Sequence, residues 1–242
     1  LDRPPDRVRR LAEIPAVPTE AFKHARIATF PPERTVRVFR TSGTTGSRRG
    51  AHHFDTLARY RAALLPSFER FLLPDGRRLP CRMLQPSPEA LPDSSLSYMC
   101  GVVETELGAP GGEWFVEDGE LEVARLRRVL SQDADAGRPV LLMGTAFGFL
   151  RLLDALVDAD ATIPLPLGSR AMETGGTKGR VRDIAAEDLR DLFAKRLRIP
   201  PTHVVNEYGM TELGTQFYDT SLRDAHRGRE PQQEQAETDA SG

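Results

Sequence analysis

The chain has 242 residues, with 33 Lys and Arg against 35 Asp and Glu, so no basic excess is available for a phosphate backbone and nucleic-acid binding is not expected. No apolar run approaches the roughly 18 residues of a membrane span, and a hydrophobic share of 39% is too high for a wholly disordered chain. Two cysteines, Cys81 and Cys100, cannot build a disulfide framework, which points to a reduced, cytoplasmic setting.

The chain opens on Leu-Asp-Arg-Pro-Pro, with no signal-peptide pattern and no Met, and so reads as a processed chain or a piece of a longer one. Ile14 to Pro18 should be extended, because each residue before a proline is pushed out of the α region. Thr19 is placed to cap a short helix through Lys23. Thr35 to Arg40 alternates polar and apolar residues and reads as a strand. It runs into Thr41-Ser42-Gly43-Thr44-Thr45-Gly46, too rich in Gly, Ser and Thr for regular structure. A helix is expected from about His52 to Leu72, with Leu57, Tyr60, Leu64, Leu65 and Phe68 on one stripe.

Further on, Cys81–Leu84 reads as a strand, Ser94–Leu107 as a helix and Trp114–Val116 as a brief strand. Glu120–Leu130 has helical spacing, and Pro139–Met143 is the continuous apolar run of a strand covered on both faces. Ala146–Val157 is an apolar helix, and Ala161–Leu167 is extended despite its two prolines. Ala185–Leu197 is an amphipathic helix and Thr202–Asn206 a strand. Strands alternating with helices predict an α/β fold with mostly parallel sheets flanked by helices. The polar composition of residues 223–242 predicts a disordered tail after one domain spanning 1–222.

Three segments could carry chemistry. Thr41 to Gly50, between a strand and a helix, has the composition of a phosphate cradle. Its small residues let backbone N–H groups converge on an anion, and Arg48 and Arg49 add charge. An ordinary strand–helix turn is the competing reading, and the order of a Walker A loop is absent. Asn206 to Glu212 follows a strand. There Tyr208 could stack on a base, Gly209 would admit a ligand close to the backbone, and Thr211 and Glu212 offer hard oxygens suited to Mg²⁺. The competing reading is a helix start capped by Thr211. Gly175 and Gly176 could lie flat against a nucleobase, or form a plain turn. His52 could hold a phosphate or carboxylate, or be a solvated helix-start histidine. Cys81 and Cys100 read as small buried hydrophobes.

Taken together, Thr41-Ser42-Gly43-Thr44-Thr45-Gly46 and Tyr208-Gly209-Met210-Thr211-Glu212 resemble the phosphate loop and the Tyr-Gly-x-Thr-Glu motif of the adenylate-forming, acyl-activating enzymes. Gly175 and Gly176 precede the second motif, as in that family. More narrowly, Ile14 to Lys23, His52 and the run Glu207 to Asp219 resemble the acyl-protein synthetases of the luminescence fatty acid reductase complex, the LuxE-like branch. The resemblance covers roughly residues 14–219, and the phenylacetate–CoA ligase type is the relative most easily confused with it.

This resemblance implies ATP and Mg²⁺ as cofactors and a carboxylic, fatty acid substrate activated to acyl-adenylate. It implies transfer to a protein thiol or coenzyme A, and an acyl-transferase or reductase as partner protein. It puts Thr41 to Gly46, Arg48, Gly175, Gly176, Tyr208 and Gly209 around the nucleotide. Thr211, Glu212 and His52 become catalytic, with Glu212 also the metal ligand. Two departures stand out. Arg48 and Arg49 occupy the place of the family's loop lysine, and no residues match its later ribose Asp, hinge, C-terminal lobe or acyl-accepting cysteine. The chain therefore reads as an incomplete large domain, and a non-catalytic nucleotide-binding module is the alternative. A P-loop-like phosphotransferase is a weaker one.

Overall fold

The computed structural model describes residues 8–10, 13–14, 16–41, 48–175 and 184–228. A six-stranded sheet organises them. Its strands are β3 (Cys81–Leu84), β4 (Glu113–Trp114), β7 (Leu141–Thr145), β8 (Arg170–Thr174), β9 (Val204–Gly209) and β10 (Gln216–Tyr218). The order is β10-β9-β8-β7-β3-β4, all neighbours parallel except the antiparallel β9–β10 pair. This is the expected α/β architecture with a mainly parallel sheet flanked by helices.

Side-chain alternation along each strand splits the core into two layers. Leu142, Ala171 and Val204 face one cluster, built with helices α4 (Val123–Asp135), α5 (Ala146–Asp158) and α6 (Ala186–Leu197). Leu141, Met143, Met172 and Val205 face the other, built with α2 (Ala58–Leu72) and α3 (Ser95–Leu107). Both faces being covered explains why β7 reads as a continuous apolar run. Two side-chain caps fix helix starts: Ser94 accepts from Ser97 N at 3.1 Å and Thr145 from Gly148 N at 3.2 Å.

The expected helix from His52 begins later. Ala51–Phe54 is a strand, β2, antiparallel to β1 (Arg37–Arg40), with His52 opposite Phe39 and His53 opposite Val38. The apolar stripe from Leu57 onward is helical as expected, but the His-His-Phe segment gains more by pairing with β1. Phe54 and Phe39 then meet edge to face at 5.3 Å. Segment 41–50 therefore joins two antiparallel strands, not a strand to a helix.

Other differences are local. Thr19 caps nothing: α1 is Ala21–His24, with Glu20 at the cap position and no side-chain cap bond. Glu120–Leu121 is a strand, β6, paired with β5 (Val116–Glu117), and α4 starts only at Val123. Residues 161–166, expected to be extended, join no sheet; Ile163 N and Leu165 N donate to the carbonyls of Arg196 and Leu197 at 2.8 and 3.1 Å. Helix α7 (Ser221–His226) crosses the expected start of the tail at 223, anchored by buried Leu222 and Asp224. Residues 229–242 lie outside those described.

Candidate functional site at the carboxyl ends of the strands

In open α/β sheets ligands bind beyond the carboxyl ends of the strands. Here that edge collects the ends of β8 and β9, the turn 211–215 between β9 and β10, the start of α3 and the base of segment 41–50. The base is closed by backbone and side chain together: Thr41 N donates to Gly50 O at 3.0 Å, and Gly50 N to Thr41 Oγ1 at 2.9 Å. Arg49 locks it further, donating from Nε to Thr41 O at 2.6 Å and pairing with Asp93 at 2.8 Å. Arg49 is thus a clamp of the segment, while Arg48 is exposed beside it. Ser42, Gly43, Thr44, Thr45 and Gly46 lie outside the described residues, as do Gly176 and Lys178.

The two distant motifs meet. His52 Nδ1 is 2.8 Å from the carbonyl oxygen of Thr211. The His52 ring also packs against Phe54 and Phe22, with centroids 4.3 Å and 5.4 Å away. A Cβ added at Gly50 would lie 3.5 Å from Glu212 Oε1, so the half-buried Glu212 carboxylate stands over the foot of segment 41–50. Thr211 Oγ1 is 3.4 Å from Ser95 Oγ. Thr211 does not cap a helix: residues 211–213 form a turn, and a second strand follows.

Tyr208 and Gly209 belong to β9 itself, not to a loop after it. Tyr208 is 58% exposed and pairs across the ladder with Phe217, 57% exposed, so two aromatic faces are open to a planar ligand. Gly209 has a reason other than ligand access: a Cβ there would collide with Glu207 Oε1. Gly175 ends β8 with φ +70°, a left-handed conformation that favours glycine, and the space a Cβ would fill is open.

Several polar groups at this edge escaped the sequence reading. Glu207 is buried, accepts from Thr174 Oγ1, and has its pKa pushed up to about 7 by burial, with the Thr174 bond opposing and Glu173 reinforcing the rise. Glu173, on the other face, accepts from Asn206 Nδ2 and is raised mainly by burial. Asp219 Oδ2 accepts from Asn206 N at 2.7 Å and Arg190 Nη2 at 3.1 Å. Only the polar residues breaking the apolar pattern of β8 and β9 could have signalled them.

Among the described residues no group of three or more His, Cys, Asp and Glu could hold a metal ion. Glu212 alone fits Mg²⁺ only as a ligand completing a shell of phosphate and water oxygens, which is how that ion is commonly held. Cys81 and Cys100 are buried as expected; burial pushes the Cys81 thiol up to about 12 and the Cys100 thiol well above its ordinary value. No described helix is long and apolar enough to cross a membrane.

No protein-family model matches the chain, and no curated protein does. Among solved structures it is similar to an open conformation of a 2-hydroxyisobutyryl-CoA ligase in complex with 2-HIB-AMP and CoA. The TM-score is 0.49 at 14% identity, covering 89% of this chain and 48% of that one. The chain thus spans about half the length of that ligase.

Proposed function

We propose that the chain belongs to an ATP-dependent ligase that activates a carboxylic acid to its acyl-adenylate. The observation that carries this reading is the meeting of His52 with Thr211 and of Glu212 with Gly50. These contacts join two motif segments far apart in the chain at the carboxyl edge of a parallel sheet. Each segment alone has an ordinary explanation; their convergence supports a shared ligand.

In this reading Thr41 to Gly46 and Arg48 hold the terminal phosphates. Tyr208, Gly175 and Gly176 frame the adenine, and Gly209 lets the Tyr208 backbone follow it. The carboxylate oxygen attacks the α-phosphorus, its new P–O bond replacing the bond to pyrophosphate. The chain needs no covalent nucleophile for this step, only alignment and fixed donors for the developing charge. Thr211 and His52 orient the reacting carboxylate and phosphate. Mg²⁺, held by phosphate oxygens and Glu212, would neutralise charge on the leaving group.

The acceptor in the second half-reaction is a thiol, of a protein as in acyl-protein synthetases or of coenzyme A as in the phenylacetate–CoA ligase type. Neither Cys81 nor Cys100 serves, both being buried and held as thiols. The resemblance brings with it a fatty acid, an acyl-transferase or reductase partner and a cytoplasmic setting. Calorimetry with MgATP tests the nucleotide site, and acid-dependent exchange of pyrophosphate into ATP tests adenylation. No MgATP binding at millimolar concentration would overturn the reading.

A further inference from the structure

Two carboxylates stand at the foot of segment 41–50, and they differ in what they hold. Asp93 Oδ2 takes Arg49 Nη1 at 2.8 Å, and the Asp93 carbonyl takes Arg40 N at 2.8 Å. Arg49 uses its other donors on backbone, Nε on Thr41 O at 2.6 Å and Nη2 on Arg40 O at 3.3 Å. Glu212 holds nothing. Among the described residues its half-buried carboxylate has no hydrogen bond and no ion pair, although Oε1 is 3.5 Å from the point a Cβ of Gly50 would occupy. Arg49 is therefore bonded to one of these acids and adjacent in sequence to the glycine beneath the other.

The run after Asp93 closes the circuit. Ser94 caps α3, and Ser95 Oγ is 3.4 Å from Thr211 Oγ1, on the residue before Glu212. A half-buried carboxylate short of water gains from a counter-charge and from charge-assisted hydrogen bonds. The Arg49 guanidinium does not supply them to Glu212, because its planar fork is already spread over oxygens of Arg40, Thr41 and Asp93. Only the Asp93 oxygen among these is charged, so removing that carboxylate leaves Arg49 with neutral carbonyls alone.

We infer that Asp93 is a positioning residue for the metal ligand: by holding Arg49 it keeps the guanidinium off Glu212, whose carboxylate stays unpaired and available to Mg²⁺. This rests on the reading of Glu212 as the ligand that completes a Mg²⁺ shell of phosphate and water oxygens. A carboxylate paired with arginine has its charge and lone pairs taken up, and offers a hard cation less of both. Without Asp93 the arginine redistributes to the unpaired carboxylate of Glu212.

The test is calorimetry on the full chain with ATP, with and without Mg²⁺. In the wild-type chain Mg²⁺ should strengthen ATP binding about tenfold, a factor that Glu212→Gln removes. Asp93→Ala should remove it too, and Arg49→Gln added to Asp93→Ala should restore it. Added to Glu212→Gln, Asp93→Ala should change neither affinity by more than about twofold, because no carboxylate is left for Arg49 to capture. Each variant is first checked for a cooperative unfolding transition. Asp93→Asn, which keeps the shape and removes the charge, takes the place of Asp93→Ala should that variant not fold. A Mg²⁺ effect that survives the loss of Asp93 would overturn the proposal. So would one that Arg49→Gln fails to restore, since the pair would then act only as a clamp of the backbone. A Mg²⁺ effect absent from the wild-type chain, or unmoved by Glu212→Gln, would overturn the metal reading and the proposal with it. Absence of ATP binding under either condition would overturn the adenylation reading as well, so the failures are told apart.

Discussion

Thr174 and Glu207 stand opposite each other on neighbouring parallel strands, and the threonine hydroxyl donates to Glu207 Oε2. The bond does not offset burial, so the acid is held well above its ordinary range, at about 7.

Stability should therefore fall as pH rises. A carboxyl with a raised folded-state pKa binds its proton in the native chain when the unfolded chain has already lost it, so folding is weakened progressively from about pH 4.5 to about 7. The penalty above that window is on the order of 3 kcal/mol. Glu207→Gln should raise the urea midpoint at pH 8 and do so much less at pH 5. An equal effect at both values would mean that Glu207 is charged in the native chain throughout.

A second prediction concerns the other face of the sheet. Arg82 donates to both oxygens of Asp133 at 2.8 and 2.9 Å, and Asp133 also takes Arg138 Nε at 2.7 Å. Asp133 is fully buried and Arg82 nearly so, so Asp133→Ala leaves a buried guanidinium without its counter-charge, held only by the carbonyls of Cys81 and Gly111. The expected loss is about 3–5 kcal/mol, whereas the pair Arg82→Met with Asp133→Leu should recover much of it. Chemical denaturation of the three proteins measures both.

Glu212→Gln should weaken the Mg²⁺-dependent part of ATP binding by about tenfold and leave unfolding unchanged, since it removes charge at nearly constant volume. Identical affinities with and without Mg²⁺ in both proteins would leave Glu212 without a metal role.

Thiol labelling should separate native from unfolded chain. Cys81 and Cys100 are buried and protonated, so iodoacetamide should modify neither at pH 8 without denaturant and both in denaturant. Fast labelling of the native chain would show that one of these core elements opens.

The sequence was most legible where one force dominated. A continuous apolar run marked β7, a short one broken by Arg82 marked β3, and helical spacing marked α3, α5 and α6, because burial on both sides of a parallel sheet leaves few alternatives. It was least legible where pairing decided. His52 reads as helix by its position before Leu57, but Phe39 across the ladder makes it strand. β8 was not expected at all, its Arg170, Glu173 and Thr174 masking a fully buried strand whose polar groups are satisfied by Asp75, Asn206 and Glu207. At the site, residue types suggested Thr41, His52, Tyr208 and Glu212, but Glu207, Asp93 and Ser95 become relevant only through partners distant in the chain.

The antiparallel turn-back of β9 into β10 has one more consequence. Both motif segments connect the strands of antiparallel pairs, so which face each side chain takes within its own pair is set by a ladder register. Side chains on a ladder alternate with a period of two, and a shift by one residue exchanges the faces. In β9 that exchange would turn the 5%-exposed Glu207 outward and drive the Tyr208 ring into the interior. A single codon inserted or deleted within Val204–Glu207 would therefore exchange the faces of the residues at the site, whereas a change in the turn 211–215 would leave them in place.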